Sequence, residues 1–138
     1  MKKSERRQRR QDVRYAVLNQ FVNSVKCSHA PAEKAPHRQV KWWLAQFCLD
    51  NNLHFSTEAT FKGGGRADFI VMDWKIIFEV LSSEKIKNLD TKNYPLPVIP
   101  VPVTITEAQI DAMMQQLFIT DGGVCEYYQK LMREEHGK

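Results

Sequence analysis

The sequence predicts an α/β domain, a mixed sheet flanked by helices, on three observations. Apolar residues recur at helical spacing before residue 51 and again after residue 106. Between residues 53 and 81 that spacing gives way to strand-forming residues. An apolar run broken by three prolines follows at residues 96–103. A length of 138 residues suits a single domain, 1–138, and 43% hydrophobic content supplies a core.

The elements follow in order. Val13, Ala16, Val17, Phe21 and Val25 share a helical face, so a first helix is expected to continue from the basic arm. Residues 27–36, with prolines at 31 and 36, read as a loop. A second helix over residues 37–51 carries Val40, Trp43, Leu44, Phe47 and Cys48 at i, i+3, i+4, i+7 and i+8, with Pro36 at its start. Residues 53–61, 66–72 and 74–81 read as strands, the first two joined by a flexible turn at Lys62-Gly63-Gly64-Gly65. Ser82 and Ser83 cap a charged helix reaching about Asp90. The prolines at 97, 100 and 102 demote residues 96–103 to an edge strand or an extended segment. Thr106 and Gln109 form a capping box, and Ile110, Met113, Met114 and Leu117 give that helix its buried stripe. Asp121-Gly122-Gly123 breaks the chain before a last helix bearing Val124, Tyr127, Tyr128, Leu131 and Met132. The expected order is α-α-β-β-β-α-β-α-α.

The chemistry concentrates on one hairpin. A two-residue turn at Asp73-Trp74 makes cross-strand partners of Ile70 and Ile77, Asp68 and Glu79, and Arg66 and Leu81. Ala67, Phe69, Val71, Trp74, Ile76, Phe78 and Val80 then form a wholly apolar face that must be core. Asp68 and Glu79 oppose each other, and like charges so placed are destabilising. A shared cation relieves the repulsion, and carboxylate oxygens are natural ligands for Mg²⁺. Arg66, two residues along, is the other available neutraliser.

Gly65-Arg66-Ala67-Asp68-Phe69-Ile70-Val71, followed by Phe78-Glu79-Val80-Leu81-Ser82-Ser83-Glu84, resembles the core of the PD-(D/E)XK nuclease superfamily. The superfamily includes restriction endonucleases, Holliday-junction resolvases and phage DNA-processing proteins. The resemblance covers residues 37–103 and implies a restriction-endonuclease-like core: helix, three-strand meander, helix, strand. It implies that Asp68 and Glu79 bind Mg²⁺ or Mn²⁺ and that the activity is hydrolysis of DNA phosphodiesters, structure-specific or viral in context. The departure lies at Leu81, where that pattern has a lysine that activates water and stabilises charge. Lys85, then Lys92, is the expected replacement catalytic cation, whereas Arg66 suits a phosphate contact better than a base. The alternative is a non-catalytic nucleic-acid-binding protein on the same fold. A third reading is an interaction protein whose basic arm meets another protein.

Charge distribution bears on partners. Residues 1–12 form a basic arm in which Arg6, Arg7, Arg9 and Arg10, with Lys62 and Arg66 farther on, suit a DNA backbone. Glu58 reads as an ordinary exposed strand residue before a member of the metal shell, and His37 as a polar residue at a helix start before a phosphate or metal contact. Trp42 lies off the helical stripe and marks a partner surface, including that of a homodimer. The three cysteines give no disulfide framework, and Cys27 and His29 with His37 lack the paired motif of a zinc site. No apolar run is long enough to span a membrane, and no apolar segment follows the basic N-terminus as in a secretory signal. The expected location is the cytoplasm.

Overall fold

The computed structural model describes residues 2–25, 35–91 and 94–136. Its ten elements run α1 (Lys3–Ala16), β1 (Val17–Val22), α2 (Ala35–Asp50), β2 (Phe55–Phe61), β3 (Arg66–Val71), β4 (Ile76–Leu81), α3 (Ser83–Lys87), β5 (Val98–Pro102), α4 (Glu107–Ile119) and α5 (Cys125–His136). The strands form one sheet in sequence order, with β1 to β4 antiparallel and β5 parallel to β4. This is an α/β architecture with a five-stranded mixed sheet and flanking helices.

The expected first helix is corrected. It ends at Ala16, and Val17–Val22 is a strand. Helical and extended spacing both fit the apolar residues here, and the open edge of β2 decides between them. Val17 pairs with Phe61 and Val22 with Ser56, covering backbone groups that β2 would otherwise leave unpaired. The Asn23 side chain closes this edge by accepting the Phe55 N–H at 3.0 Å.

The hairpin keeps its expected register, with Phe69 opposite Phe78, Ile70 opposite Ile77 and Val71 opposite Ile76. Its connection spans four residues, Met72 to Lys75, rather than two. Lys75 adopts a left-handed backbone (φ 57°), which reverses the chain. Asp73 is drawn inward, where its carboxylate accepts the His54 N–H at 2.9 Å and meets Arg10 at 3.1 Å. Beyond the hairpin, Gly122 (φ 85°) lets the α4–α5 turn press on it. A Cβ there would stand 3.2 Å from Ile76 and Trp74.

Both faces of the sheet are buried. On one, α2, α4 and α5 supply Val40, Leu44, Ile110, Met113, Leu117 and Met132 against Phe55, Phe69, Phe78 and Ile99. Phe55 and Phe69 stack at 5.1 Å, and Phe78 meets Phe69 edge-on at 6.4 Å, contacts worth about 0.5–1.5 kcal/mol each beyond area burial. On the other, Val13 and Val17 pack with Ile70, Met72, Ile77 and Val98, flanked by Leu89, Tyr94 and Leu96. The proline-broken run is an edge strand as expected, since β5 ends the sheet order. The α4 capping box is formed by Thr106 and Gln109. Among the described residues, no helix is long and apolar enough to cross a membrane.

Candidate active site

Where β3 and β4 pass the Phe69–Phe78 pair, their side chains take over from the backbone ladder. The Asp68 N–H donates to Glu79 Oε1 at 2.8 Å, and the Val80 N–H donates to Asp68 Oδ2 at 3.0 Å. Each carboxyl thus binds a backbone donor of the opposite strand. The two carboxyls therefore lie side by side, close enough for the charge on Asp68 to bear on the ionisation of Glu79.

A third carboxylate lies in the same row. Glu58 falls between the pairs Thr57–Phe69 and Ala59–Ala67, opposite Asp68 on β3. It is 7% exposed, not the exposed residue its sequence context suggested. Its backbone is left-handed in mid-strand (φ 49°), a conformation that costs a non-glycine residue on the order of 1–3 kcal/mol. What offsets the cost is Lys41 of α2, which is fully buried and donates from Nζ to Glu58 Oε1 at 2.7 Å. Arg66 Nε stands 3.0 Å from the other Glu58 oxygen. Arg66 is therefore directed at Glu58, not at residue 81 as the simple hairpin register suggested.

His37, one helical turn before Lys41, places Nε2 3.4 Å from Asp68 Oδ2. Sequence reasoning missed Lys41 and set His37 aside. The signal was present: residues 41, 44, 45 and 48 lie on the buried side of α2, so Lys41 interrupts an otherwise apolar stripe, with His37 one turn before it.

The electrostatics divide the two central carboxyls. Burial raises Glu79, and the charges of Asp68 and Glu58 raise it further, to about 9 against the opposing Asp68 N–H. Burial also raises Asp68, but His37, the Val80 N–H and Lys41 outweigh it and hold that carboxyl below its ordinary value. At neutral pH Asp68 is ionised and Glu79 is protonated. Tyr94, half-buried nearby, is pushed up to about 12 by burial and by the charges of Glu79 and Asp68.

Among the described residues, no group of three or more His, Cys, Asp or Glu converges to hold a metal ion by protein ligands alone. A two-carboxylate site nevertheless fits Mg²⁺, which commonly takes one or two carboxylates and fills its shell with water and substrate phosphate.

The other expected site residues are dispersed. Lys85 is exposed on α3 and lines a pocket with His37 and Leu81. Lys92 lies outside the described residues, as do Cys27 and His29. Lys62 is exposed in the β2–β3 turn, where Gly64 and Gly65 take positive φ. The basic arm is helical and folds onto the far end of the hairpin. Arg6 pairs with Asp121 at 2.7 Å, Arg9 bonds the Asp121 carbonyl at 3.1 Å, and Arg10 meets Asp73. Arg7 is exposed and lines a groove of about 770 Å³ with Lys3 and Asn52. Comparison with family models, with curated proteins and with solved structures finds no match to this chain.

Proposed function

We propose that this protein is a metal-dependent endonuclease acting on DNA, with Asp68 and Glu79 as the metal-binding carboxylates of a restriction-endonuclease-like core. The observation that carries the reading is the facing pair itself: two carboxyls on adjacent strands, each accepting a backbone N–H of the other strand. Such an arrangement is unfavourable for a purely structural purpose and suits the capture of a divalent cation. Mg²⁺ or Mn²⁺ held there would supply Lewis-acid stabilisation of phosphoryl charge and acidify an attacking water.

The chain's own residues account for the rest. Asp68 stays ionised because His37 and Lys41 hold it so, leaving it ready for a cation. Lys41 is buried and bonded to Glu58, which makes it a positioning residue. Lys85 and His37, at the edge of the site, are the groups placed to meet substrate phosphate. In the reaction a water oxygen adds to phosphorus, the bond to one nucleoside oxygen breaks, and that oxygen takes up a proton.

A second reading, a DNA-binding protein that does not cut, is favoured by one feature. Leu81 occupies the position where a lysine would face the phosphate, and Lys41 is spent on Glu58. The test is incubation of purified protein with Mg²⁺ or Mn²⁺ and linear, branched and single-stranded DNAs. Cleavage that disappears in both Asp68→Ala and Glu79→Ala is the expected result. Wild-type rates in either variant would end the proposal, and DNA binding without cleavage would leave the second reading in its place.

A further inference from the structure

Beside the carboxylates lies a pocket of about 300 Å³ lined by Pro36, His37, Val80, Leu81, Ser82, Lys85 and Val103. We infer that it receives one unstacked nucleobase next to the phosphate held at Asp68 and Glu79, so that the substrate is a strand with an unpaired nucleotide and not continuous duplex. The inference rests on the nuclease reading above and names its substrate class.

Four features of the pocket lead there. It shares His37 with the carboxylate site, so a nucleotide whose phosphate meets Asp68 has its neighbour at the pocket mouth. Pro36, Val80, Leu81 and Val103 give it apolar walls, and Leu81 and Val103 are only partly buried, leaving apolar surface uncovered at a functional cleft. Stacking a base on such a surface is favourable, whereas a base inside a duplex is already stacked and would have to be extruded. Lys85 at the rim is exposed and positioned for the phosphate that accompanies the base. Leu81 thereby acquires a role. Two residues from Glu79 on β4, it keeps the pocket apolar where a lysine would fill it with charge.

The experiment measures binding without cleavage, so it is independent of whether the protein cuts. Full-length protein in EDTA is titrated into a labelled single strand, a duplex of the same length, and a duplex with a single-stranded flap. A 2-aminopurine in the unpaired segment of the strands reports base environment. The expected result is about tenfold tighter binding of single strand and flap than of duplex, with a change in 2-aminopurine emission. Leu81→Ser and Lys85→Glu should each reduce that preference to about twofold while thermal melting is unchanged. Lys85 is exposed, so its variant keeps the test decisive should Leu81→Ser fold poorly. Equal or tighter binding of duplex, no binding to any of the three, or an undiminished preference in folded variants would overturn the inference. Failure of cleavage with the preference intact would count against the nuclease reading alone.

Discussion

The two ends of the β3–β4 hairpin treat buried acids in opposite ways. At the turn, Asp73 is 1% exposed and fully committed, to Arg10 on one oxygen and to the His54 N–H on the other. At the open end, Asp68, partly buried, and Glu79, 6% exposed, face each other, and burial with the charge of Asp68 pushes Glu79 up to about 9. The first arrangement is satisfied and holds the fold. The second is frustrated and gives up stability for a local demand for positive charge. The same side-chain chemistry is thus settled at one end, where Asp73 meets a guanidinium, and strained at the other, where Glu79 faces Asp68.

The sharpest way to break this contrast is to remove one acid from each end. Asp68→Ala or Glu79→Ala is expected to lower cleavage by about 10³-fold or more, the loss of several kcal/mol of transition-state stabilisation. Asp73→Ala is expected to leave the chemistry of the site intact and to destabilise the fold by about 2–3 kcal/mol, because Arg10 and the His54 N–H lose their acceptor. Denaturant unfolding and cleavage rates, measured on all three, check both halves. A folded Asp73→Ala that loses activity as fully as Asp68→Ala would erase the distinction.

Next in size is Lys41. Lys41→Met leaves Glu58 buried with Arg66 alone beside it, at a cost of about 3 kcal/mol. Where the variant still folds, its effect on catalysis should appear in the pH profile. Without Lys41, Asp68 loses one of the influences that hold its carboxyl down, so the acid limb of activity moves to higher pH. Lys41→Arg, which restores the charge, should move it back. A loss of rate with no change in the profile would make Lys41 purely structural.

How much of this was legible in the sequence can be judged residue by residue. The Asp68–Glu79 opposition was, because strand alternation and register survive a change in turn length when the extra residues are added symmetrically. The Thr106 cap was, because capping is local chemistry. Strand β1 was not, since Val13 to Val25 fits either period and the choice was made by the edge of β2, distant in sequence. The role of Glu58 was hidden for a different reason. Its backbone is left-handed in mid-strand, and nothing in Thr57-Glu58-Ala59 announces that conformation or the Lys41 contact. The basic arm read as free charge because its partners, Asp73 and Asp121, lie more than sixty residues away.

The carboxyl pair also sets a pH dependence of stability. Glu79 is raised in the folded state from 4.5 to about 9, so the folded protein holds a proton that the unfolded chain releases. Its contribution is full below the lower value and is lost as pH rises through about 9. Asp68 runs the other way, losing its contribution as pH falls below its ordinary value of 3.8 and through its lowered one. Metal-free protein should therefore melt at progressively lower temperature across the neutral to alkaline range. A cation that displaces the Glu79 proton binds more tightly as pH rises, so the stabilisation given by Mg²⁺ should be larger at pH 9 than at pH 6 (on the order of tenfold in affinity per proton released per pH unit). Glu79→Gln should flatten both trends. Slopes unchanged in that variant would place the proton elsewhere.

The smallest effect concerns the basic arm, and it tests whether the turn end is purely structural. Asp121→Asn breaks a partly exposed ion pair with Arg6, which should cost no more than about 1 kcal/mol. It also returns a guanidinium to a surface where Arg7 and Lys3 are already exposed. If DNA reaches this end of the molecule, the freed Arg6 adds roughly one phosphate contact. Duplex affinity then rises several-fold at low salt, and the slope of log K against log salt steepens by about 0.9. Affinity measured at four or five salt concentrations separates the outcomes. An unchanged slope would mean that Arg6 and its neighbours serve only to fasten α1 to Asp73 and Asp121. Every DNA contact would then have to come from the open end of the hairpin, from Lys62, Arg66 and Lys85 around the carboxyl pair.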